Sequence, residues 1–326
     1  MTRHELEKLD ISDLASICKA FIIKHTIAQA SILNLHSSLR QLMTQPGSRP
    51  NSHQPDLCVG IDFGSTHTGV SWNTPKEESK KINIINQWPG EARRRDKVPS
   101  VLAKDVSGGE TRWGFLCEEL AEDKKWGFFK LLLDPKLHRN ELTDTEPSSW
   151  VPRTTDKLHE LVTLYLRRVY THISNEIPKI IKTDPSLSQQ LKLKTWDSLT
   201  IDFIFSTPMT WLAPASHCFR GIVSKAGFGE QKLHRVMLGP TEAEAAVVFT
   251  CQPKTVGKVQ KGDVVLSIDA GGGTTGIAFL KATADTTNSL TLETIHPVTG
   301  MGVSSMGIDY EFEDLIEDRI KKHPKA

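Results

Sequence analysis

Residues 264–281 read VVLSIDAGGGTTGIAFLK. An apolar run ends at Asp269, three glycines and two threonines follow, and a second apolar run begins at Ile277. This order predicts a β-hairpin whose turn is nearly all backbone, because glycine tolerates positive φ and leaves its N–H groups bare. Such a turn can form a nest for phosphate oxygens, and a carboxylate at the strand end can hold Mg²⁺ or its waters. A glycine-rich turn that binds nothing is the alternative.

The same order occurs a second time, upstream. Residues 57–73 read LCVGIDFGSTHTGVSWN, with Asp62 at the end of an apolar run and Gly64, Ser65 and Thr66 at the turn. Two such hairpins that face each other can hold a polyphosphate from both sides, with the paired aspartates organising one metal ion. The repetition therefore favours a phosphate-binding site over two unrelated hairpins.

The composition is that of an ordinary globular protein, and it excludes several functional classes. The chain has 326 residues, a length for which we expect about two domains. Its residues are 38% apolar and 24% charged, as in globular proteins. A formal net charge of +1 gives no bulk attraction to nucleic acid or to an anionic membrane surface. We also expect no membrane span and no secretory signal. Five scattered cysteines without CxxC spacing favour a reducing compartment, the cytoplasm, over a disulfide framework or a zinc site.

Alternating helices and strands are predicted for the rest of the chain. The first 54 residues are expected to be an extension, helical within 1–43 and linker-like over 44–54, where Pro, Gly and Ser accumulate. Further helices are predicted over 128–135, 155–177, 212–226, 241–249 and 308–320, and further strands over 82–85, 98–104, 199–205, 233–237 and 290–295. The helix over 155–177 is expected to end before Pro178.

Two charged residues inside predicted helices are candidates for a phosphate site. Lys130 interrupts an apolar stretch, so its ammonium either reaches the surface or points at phosphate, as phosphoryl-transfer sites require. Glu242 lies in the first turn of a helix for which Thr241 is the expected N-cap. That carboxylate either stabilises the helix dipole or positions a water molecule.

Together these motifs resemble the ATPase domain of the seventy-kilodalton heat-shock chaperone family, within the actin-like superfamily. GIDFGSTHTGV at 60–70 is similar to the first phosphate motif of the family and SIDAGGGTTGI at 267–277 to the second. LTIDFIFSTPMTW at 199–211 resembles its strand-proline-helix segment, and TEAEAA at 241–246 resembles its connecting motif. The resemblance covers residues 57–326 and implies an α/β, actin-like (ribonuclease H-like) fold.

The resemblance implies a division of the chain. Residues 55–258 would form a complete lobe I, with a small subdomain at about 85–155, and residues 259–326 a partial lobe II. The family continues beyond this point with an adenosine-binding motif and a peptide-binding domain. We therefore expect a divergent member that is truncated at its C-terminus.

The resemblance also implies a site for ATP or ADP with Mg²⁺. The catalytic residues would be Lys130, Glu242, Asp269 and Thr274. Phosphate would be held by Asp62, Gly64, Ser65, Thr66, Gly271, Gly272, Gly273 and Thr274, and Asp62 and Asp269 would hold the Mg²⁺ through water.

The chain departs from the family pattern at several of these positions. Ser65 stands where threonine is usual and keeps the hydroxyl, and Ala243 stands where a proline usually follows the glutamate. Aligning Pro240 with that proline instead would put Gly239 at the position of the carboxylate, so Glu242 is the preferred assignment. Gly276 stands where a further aspartate is common.

Three functions are compatible with these observations. The first is an ATP-binding, chaperone-related protein with weak hydrolysis, whose partners would be nucleotide, protein clients and co-chaperones. The second is a non-catalytic pseudo-ATPase that acts as an interaction or regulatory module. The third, a small-metabolite kinase of the same superfamily, would need an acceptor-binding aspartate and a full second lobe, and neither is visible in the sequence.

Overall fold

A computed structural model describes residues 54–77, 81–104, 111–133, 152, 154–208, 211–250, 260–273, 275–286, 289–295, 299–301 and 305–322. The predicted N-terminal helix, nearly all of the predicted linker, and Thr274 lie outside these ranges. The proposed division into two lobes stays a prediction.

The described residues form both strands and helices, with most of the short strands in the first part of the chain. The strands are β1 (Leu57–Phe63), β2 (His67–Asn73), β3 (Asn83–Ile84), β4 (Lys97–Pro99), β5 (Leu102–Ala103), β6 (Lys125–Trp126), β7 (Ile201–Thr207), β8 (His234–Thr241), β9 (Val264–Ala270), β10 (Thr275–Thr286), β11 (Ser289–Thr294) and β12 (Thr299–Met301). The helices are α1 (Phe129–Leu132), α2 (Thr155–Thr183), α3 (Gln189–Lys192), α4 (Ala213–Lys225), α5 (Glu242–Thr250) and α6 (Ser305–Lys322).

The first sheet is mixed, with strand order β3-β2-β1-β7-β8 and with β4 also paired to β2. β1 and β2 are antiparallel because a short turn joins them, as the sequence predicts. β7 lies parallel to β1, and β8 lies parallel to β7. Parallel neighbours require crossover connections, and these contain α2 and α4. The carboxyl ends of β1 and β7 therefore meet at one edge of the sheet, where the turn after β1 begins.

One face of this sheet carries the hydrophobic core. Successive strand residues point to opposite faces, so the alternate apolar residues of β1 share one side. They pack against α2 and α4. The buried residues of α2 recur every three or four positions and are Leu158, Leu161, Val162, Tyr165, Leu166, Val169, Ile173, Ile177 and Ile181.

The helix α2 does not end before Pro178, so that prediction is wrong. The helix continues to Thr183 with the proline inside it. A proline in a helix interior costs about 3 kcal/mol, because it removes an N–H donor and crowds the preceding turn. Ile177 and Ile181 are 0% and 3% exposed, and burying an isoleucine stabilises by about 1.5–3 kcal/mol. Packing on either side of the proline therefore outweighs its cost.

The second sheet is antiparallel and is built around β10, which pairs with β9, β11 and β12. The β9–β10 pair is the hairpin that the sequence predicts for residues 264–281. One face packs against α5, whose Ala243 and Val247 contact Ala278 and Leu280 of β10. The helix α5 thus joins the end of the first sheet to the inner face of the second.

The other face of the second sheet is apolar and exposed. Leu266 of β9 lies opposite Phe279 of β10, and both side chains are exposed, as are those of Val264 and Ile268. The predicted apolar face of α6 is also exposed and comprises Ile308, Phe312, Leu315 and Ile316. Within the described ranges, no helix has the length and apolarity that crossing a membrane demands.

Replacing the helix proline tests whether packing holds α2 together. Pro178→Ala restores an N–H donor, so we expect the free energy of unfolding to rise by roughly 1–3 kcal/mol in urea titrations. Ile181→Ala, one turn further along, should lower it by roughly 2–5 kcal/mol, because it leaves a cavity. A destabilised Pro178→Ala variant would contradict this account.

Candidate functional site

The turn between β1 and β2 is held by backbone contacts and by one serine. The Gly64 N–H donates to the His67 carbonyl at 3.1 Å. A Cβ at position 64 would overlap that same carbonyl oxygen, so the turn requires glycine. Ser100 follows β4; its hydroxyl donates to the Gly64 carbonyl at 2.9 Å and its N–H to the Thr66 carbonyl at 2.8 Å. The predicted phosphate turn is therefore fixed from a neighbouring strand.

The turn between β9 and β10 is anchored from the start of α6. Asp269, the residue before the end of β9, lies opposite Gly276, and the three glycines of the turn are only partly exposed. Both the N–H and the hydroxyl of Ser305 donate to the Gly271 carbonyl, at 3.1 and 3.2 Å.

The two predicted phosphate turns meet in space. A Cβ at Gly272 would overlap the side chain of Thr66, which belongs to the other turn. A Cβ at Gly273 would lie 2.6 Å from a methyl carbon of Leu131 in α1. The second turn therefore fits between the first turn and α1 because Gly272 and Gly273 have no side chains.

Two ion pairs lie beside these turns. The Lys97 ammonium of β4 donates to an Asp62 carboxylate oxygen at 2.8 Å. The Lys130 ammonium of α1 donates to a carboxylate oxygen of Glu242, in the first turn of α5. Lys130 is 7% exposed, so its ammonium stays inside the protein and does not reach the surface. The two residues that the family resemblance singles out in separate helices are thus brought into contact.

The position of Glu242 follows from how α5 begins. The Thr241 hydroxyl accepts from the Glu244 N–H at 3.2 Å, and the Glu244 carboxylate accepts from the Thr241 N–H at 2.8 Å. This reciprocal pair is a capping box, which satisfies two donors at the start of a helix. Thr241 is the N-cap, as the sequence predicts, and Glu242 is the first residue after it.

The pKa shifts show that these groups form one charged cluster. Burial alone would raise the pKa of Asp62, but Lys97 and Lys130 outweigh it and lower that pKa. The pKa of Glu242 is raised by burial and by the charges of Asp62 and Asp269, which together outweigh Lys130. The charge of Asp62, with those of Asp269 and Glu242, raises the pKa of Lys97.

Lys97, which the sequence did not predict for the site, contacts Asp62 because of the strand register. Across the first sheet, Asp62 pairs with Gly69 and Gly69 pairs with Lys97, so the three residues form one row over three strands. Because Gly69 has no side chain, the lysine can extend over β2 to the carboxylate. The signal lay in strand register, which a single sequence does not reveal. Ser206, near the end of β7, was not predicted either; its hydroxyl is buried near Asp62 but makes no hydrogen bond of ordinary geometry among the described residues.

This arrangement suits a phosphorylated ligand with a hydrated metal ion. Two backbone turns, two ammonium groups and three carboxylates converge, and phosphates bind to N–H groups and cations. In the described part of the chain, no group of three or more His, Cys, Asp or Glu side chains could cage a metal. Asp62 and Asp269 fit an ion that keeps its waters, as Mg²⁺ usually does.

Comparison with known proteins gives distant structural likenesses. No family model and no curated protein matches the chain. Among solved structures, MreB5 of Spiroplasma citri bound to ADP is similar at 11% identity, covering 78% of this chain and 54% of that one, with a TM-score of 0.43. A MamK double helical filament is similar at 15% identity, covering 82% and 60%, with a TM-score of 0.42. The chain thus spans less than two thirds of either structure's chain.

The closeness of the two turns is tested by a pair of glycine substitutions. Gly272→Ala places a methyl group against Thr66, and we expect a loss of roughly 1–3 kcal/mol of unfolding free energy. Gly276→Ala is the matched control, because a Cβ there meets nothing within 4 Å. Urea titrations of both variants should separate them, and equal stabilities would contradict the contact.

Removing Lys130 tests the buried ion pair through its pH dependence. The folded-state pKa of Glu242 lies above its usual value of 4.5, so the unfolded chain releases this proton first as the pH rises, and stability falls between the two values. Lys130→Met raises the folded-state pKa further. We therefore compare the free energy of unfolding of this variant with that of the unmodified chain. The loss should be smallest near about pH 4 and should grow to roughly 3–5 kcal/mol near neutrality.

The control for that experiment is Lys130→Arg, which keeps the charge. Chemical denaturation at a series of pH values gives the deficit for each variant. A deficit of Lys130→Met that stays constant with pH would mean that the ion pair does not carry the effect.

Proposed function

We propose that this chain binds ATP, together with Mg²⁺, between its two Asp-Gly turns. The observation that carries the proposal is the contact between Lys130 and Glu242. The family resemblance assigns these two residues to one catalytic site, although they lie far apart in the sequence. Their contact beside the two facing turns supports a nucleotide site of the actin-like kind, related to the seventy-kilodalton heat-shock ATPases.

In this proposal, some of the chain's groups would bind the phosphates and others would hold the metal ion. Backbone N–H groups of the two turns would hold phosphate oxygens, with the hydroxyls of Ser65 and Thr66 beside them. Asp62 and Asp269 would hold the waters of the metal ion. Bound Mg²⁺ would neutralise the charge of the phosphates. Thr274 belongs to the proposed set by resemblance alone.

Hydrolysis would depend on Glu242 and Lys130. In the proposed reaction, water attacks the γ-phosphorus, the bond from that phosphorus to the bridging oxygen breaks, and ADP and phosphate form while the proton of the water passes to a phosphate oxygen or to solvent. The Glu242 carboxylate would orient the attacking water, and Lys130 would neutralise charge on the transferred group. Positioning and charge neutralisation are the main demands of phosphoryl transfer, and the cluster supplies both. We infer slow turnover, because Lys130 must be shared between the carboxylate and the phosphate.

A non-catalytic pseudo-ATPase is the second candidate, and one observation favours it. Both lysines of the cluster already contact carboxylates, so the lysine charges are satisfied without a ligand. A cluster of this kind can act as a structural bridge between two sheets. In that case the chain would act as an interaction or regulatory module. Under either candidate we propose the cytoplasm as the compartment and protein clients or co-chaperones as partners, in line with the resemblance.

Calorimetry with two variants distinguishes the candidates. The first candidate predicts ATP binding in MgCl₂, at least roughly tenfold weaker in Asp269→Asn because a metal-holding carboxylate is lost. Glu242→Gln should keep binding and lose phosphate release, since only the water-orienting group changes. Asp123→Asn is a control at an exposed carboxylate outside the site. No heat of binding at millimolar ATP would refute the first candidate and leave the second.

A further inference from the structure

Lys97 is a cation at the carboxylate that the proposed site assigns to a metal ion. Its ammonium lies 2.8 Å from Asp62, whose side chain is only 14% exposed. The lysine side chain is 35% exposed, so it lies at the rim of the site while its ammonium faces inward. Asp62 therefore already has a partner that balances its charge.

A divalent ion at Asp62 must compete with this lysine. Ammonium and hydrated Mg²⁺ both bind a carboxylate as compact positive charges, and one Asp62 oxygen is occupied by Lys97. Bringing the ion in either moves the ammonium away from Asp62 or places two cations beside one carboxylate. The second arrangement adds a repulsion between the ion and Lys97, so displacement of the ammonium is favoured.

The moved ammonium would still have a partner once nucleotide is bound. Lys97 is the first residue of β4, and this strand leads directly into Ser100. The Ser100 hydroxyl holds the first phosphate turn. A lysine anchored at that place is close to the phosphates of a ligand between the turns. Phosphate oxygens would then replace the carboxylate as its partner.

We propose that Lys97 is the resident counter-ion of Asp62: it weakens divalent-ion binding to the nucleotide-free protein and supplies a metal-independent part of phosphate affinity. This inference rests on the proposed nucleotide site. It adds that Lys97 limits the binding of the metal ion to that site when nucleotide is absent. Divalent ions would enter chiefly with the nucleotide, because its phosphates give the displaced ammonium a new partner. The alternative is that Lys97 serves only to join β4 to β1.

The direct test uses Mn²⁺ as the probe and contains no nucleotide. Free Mn²⁺ is measured by electron paramagnetic resonance during titration of the folded protein. We expect Lys97→Met to bind Mn²⁺ at least roughly tenfold more tightly than the unmodified chain, because the competing charge is gone. Lys97→Arg should behave like the unmodified chain. Lys124→Met, at an exposed lysine outside the site, is the matched control and should show no change.

A double variant locates the added ion. Lys97→Met combined with Asp62→Asn should lose the gain in Mn²⁺ affinity, since the carboxylate is absent. Unchanged or weaker Mn²⁺ binding in Lys97→Met would overturn the inference, and so would a gain that persists in the double variant. Should Lys97→Met fail to fold, Lys97→Gln serves in its place, because it removes the charge and keeps a donor for Asp62.

A second measurement on the unmodified chain separates this inference from the proposed function. ATP is titrated in EDTA and in MgCl₂. The unmodified chain should retain a measurable affinity for ATP in EDTA, and this affinity should be lower in Lys97→Gln. Binding that disappears entirely in EDTA would overturn the inference while the nucleotide site stands. If ATP binds under neither condition, the proposed function fails, and the Mn²⁺ titration still decides the role of Lys97.

Discussion

A carboxylate that is taken out of water needs a cation beside it, and this requirement organises the site. Asp62 lies near the end of β1 and Glu242 in the first turn of α5, and each contacts one lysine. The lysines come from β4 and α1, so four separate segments have to assemble before the charges balance. Losing one partner would leave an uncompensated buried charge, which is far more costly than losing an exposed ion pair. The fold around the turns is therefore tied to the chemistry it encloses.

Short-range signals in the sequence predicted much of this arrangement. Both glycine hairpins, the N-cap at Thr241 and the helical position of Lys130 follow from local patterns, because turns and caps depend on neighbouring residues. The length of α2 did not follow, since tertiary packing of Ile177 and Ile181 overrides the local effect of Pro178. Lys97 was missed for a similar reason: its partner is set by the register of three strands.

The two sheets differ in how completely they are covered. The first has a continuous core between its strands and α2 and α4, whereas the second is covered by α5 on one face and exposes Leu266 and Phe279 on the other. Most of the packing energy of the described chain therefore lies around the first sheet. The second turn, which belongs to the less covered sheet, is held in place by contacts with Thr66 and Leu131.

The row formed by Asp62, Gly69 and Lys97 has a consequence for any redesign of this chain. The lysine side chain crosses the middle strand at Gly69, where no side chain stands between it and the carboxylate. Positions 69 and 97 are therefore coupled in an engineered version: a bulky residue at 69 calls for a new cation beside Asp62. The three positions are best redesigned together.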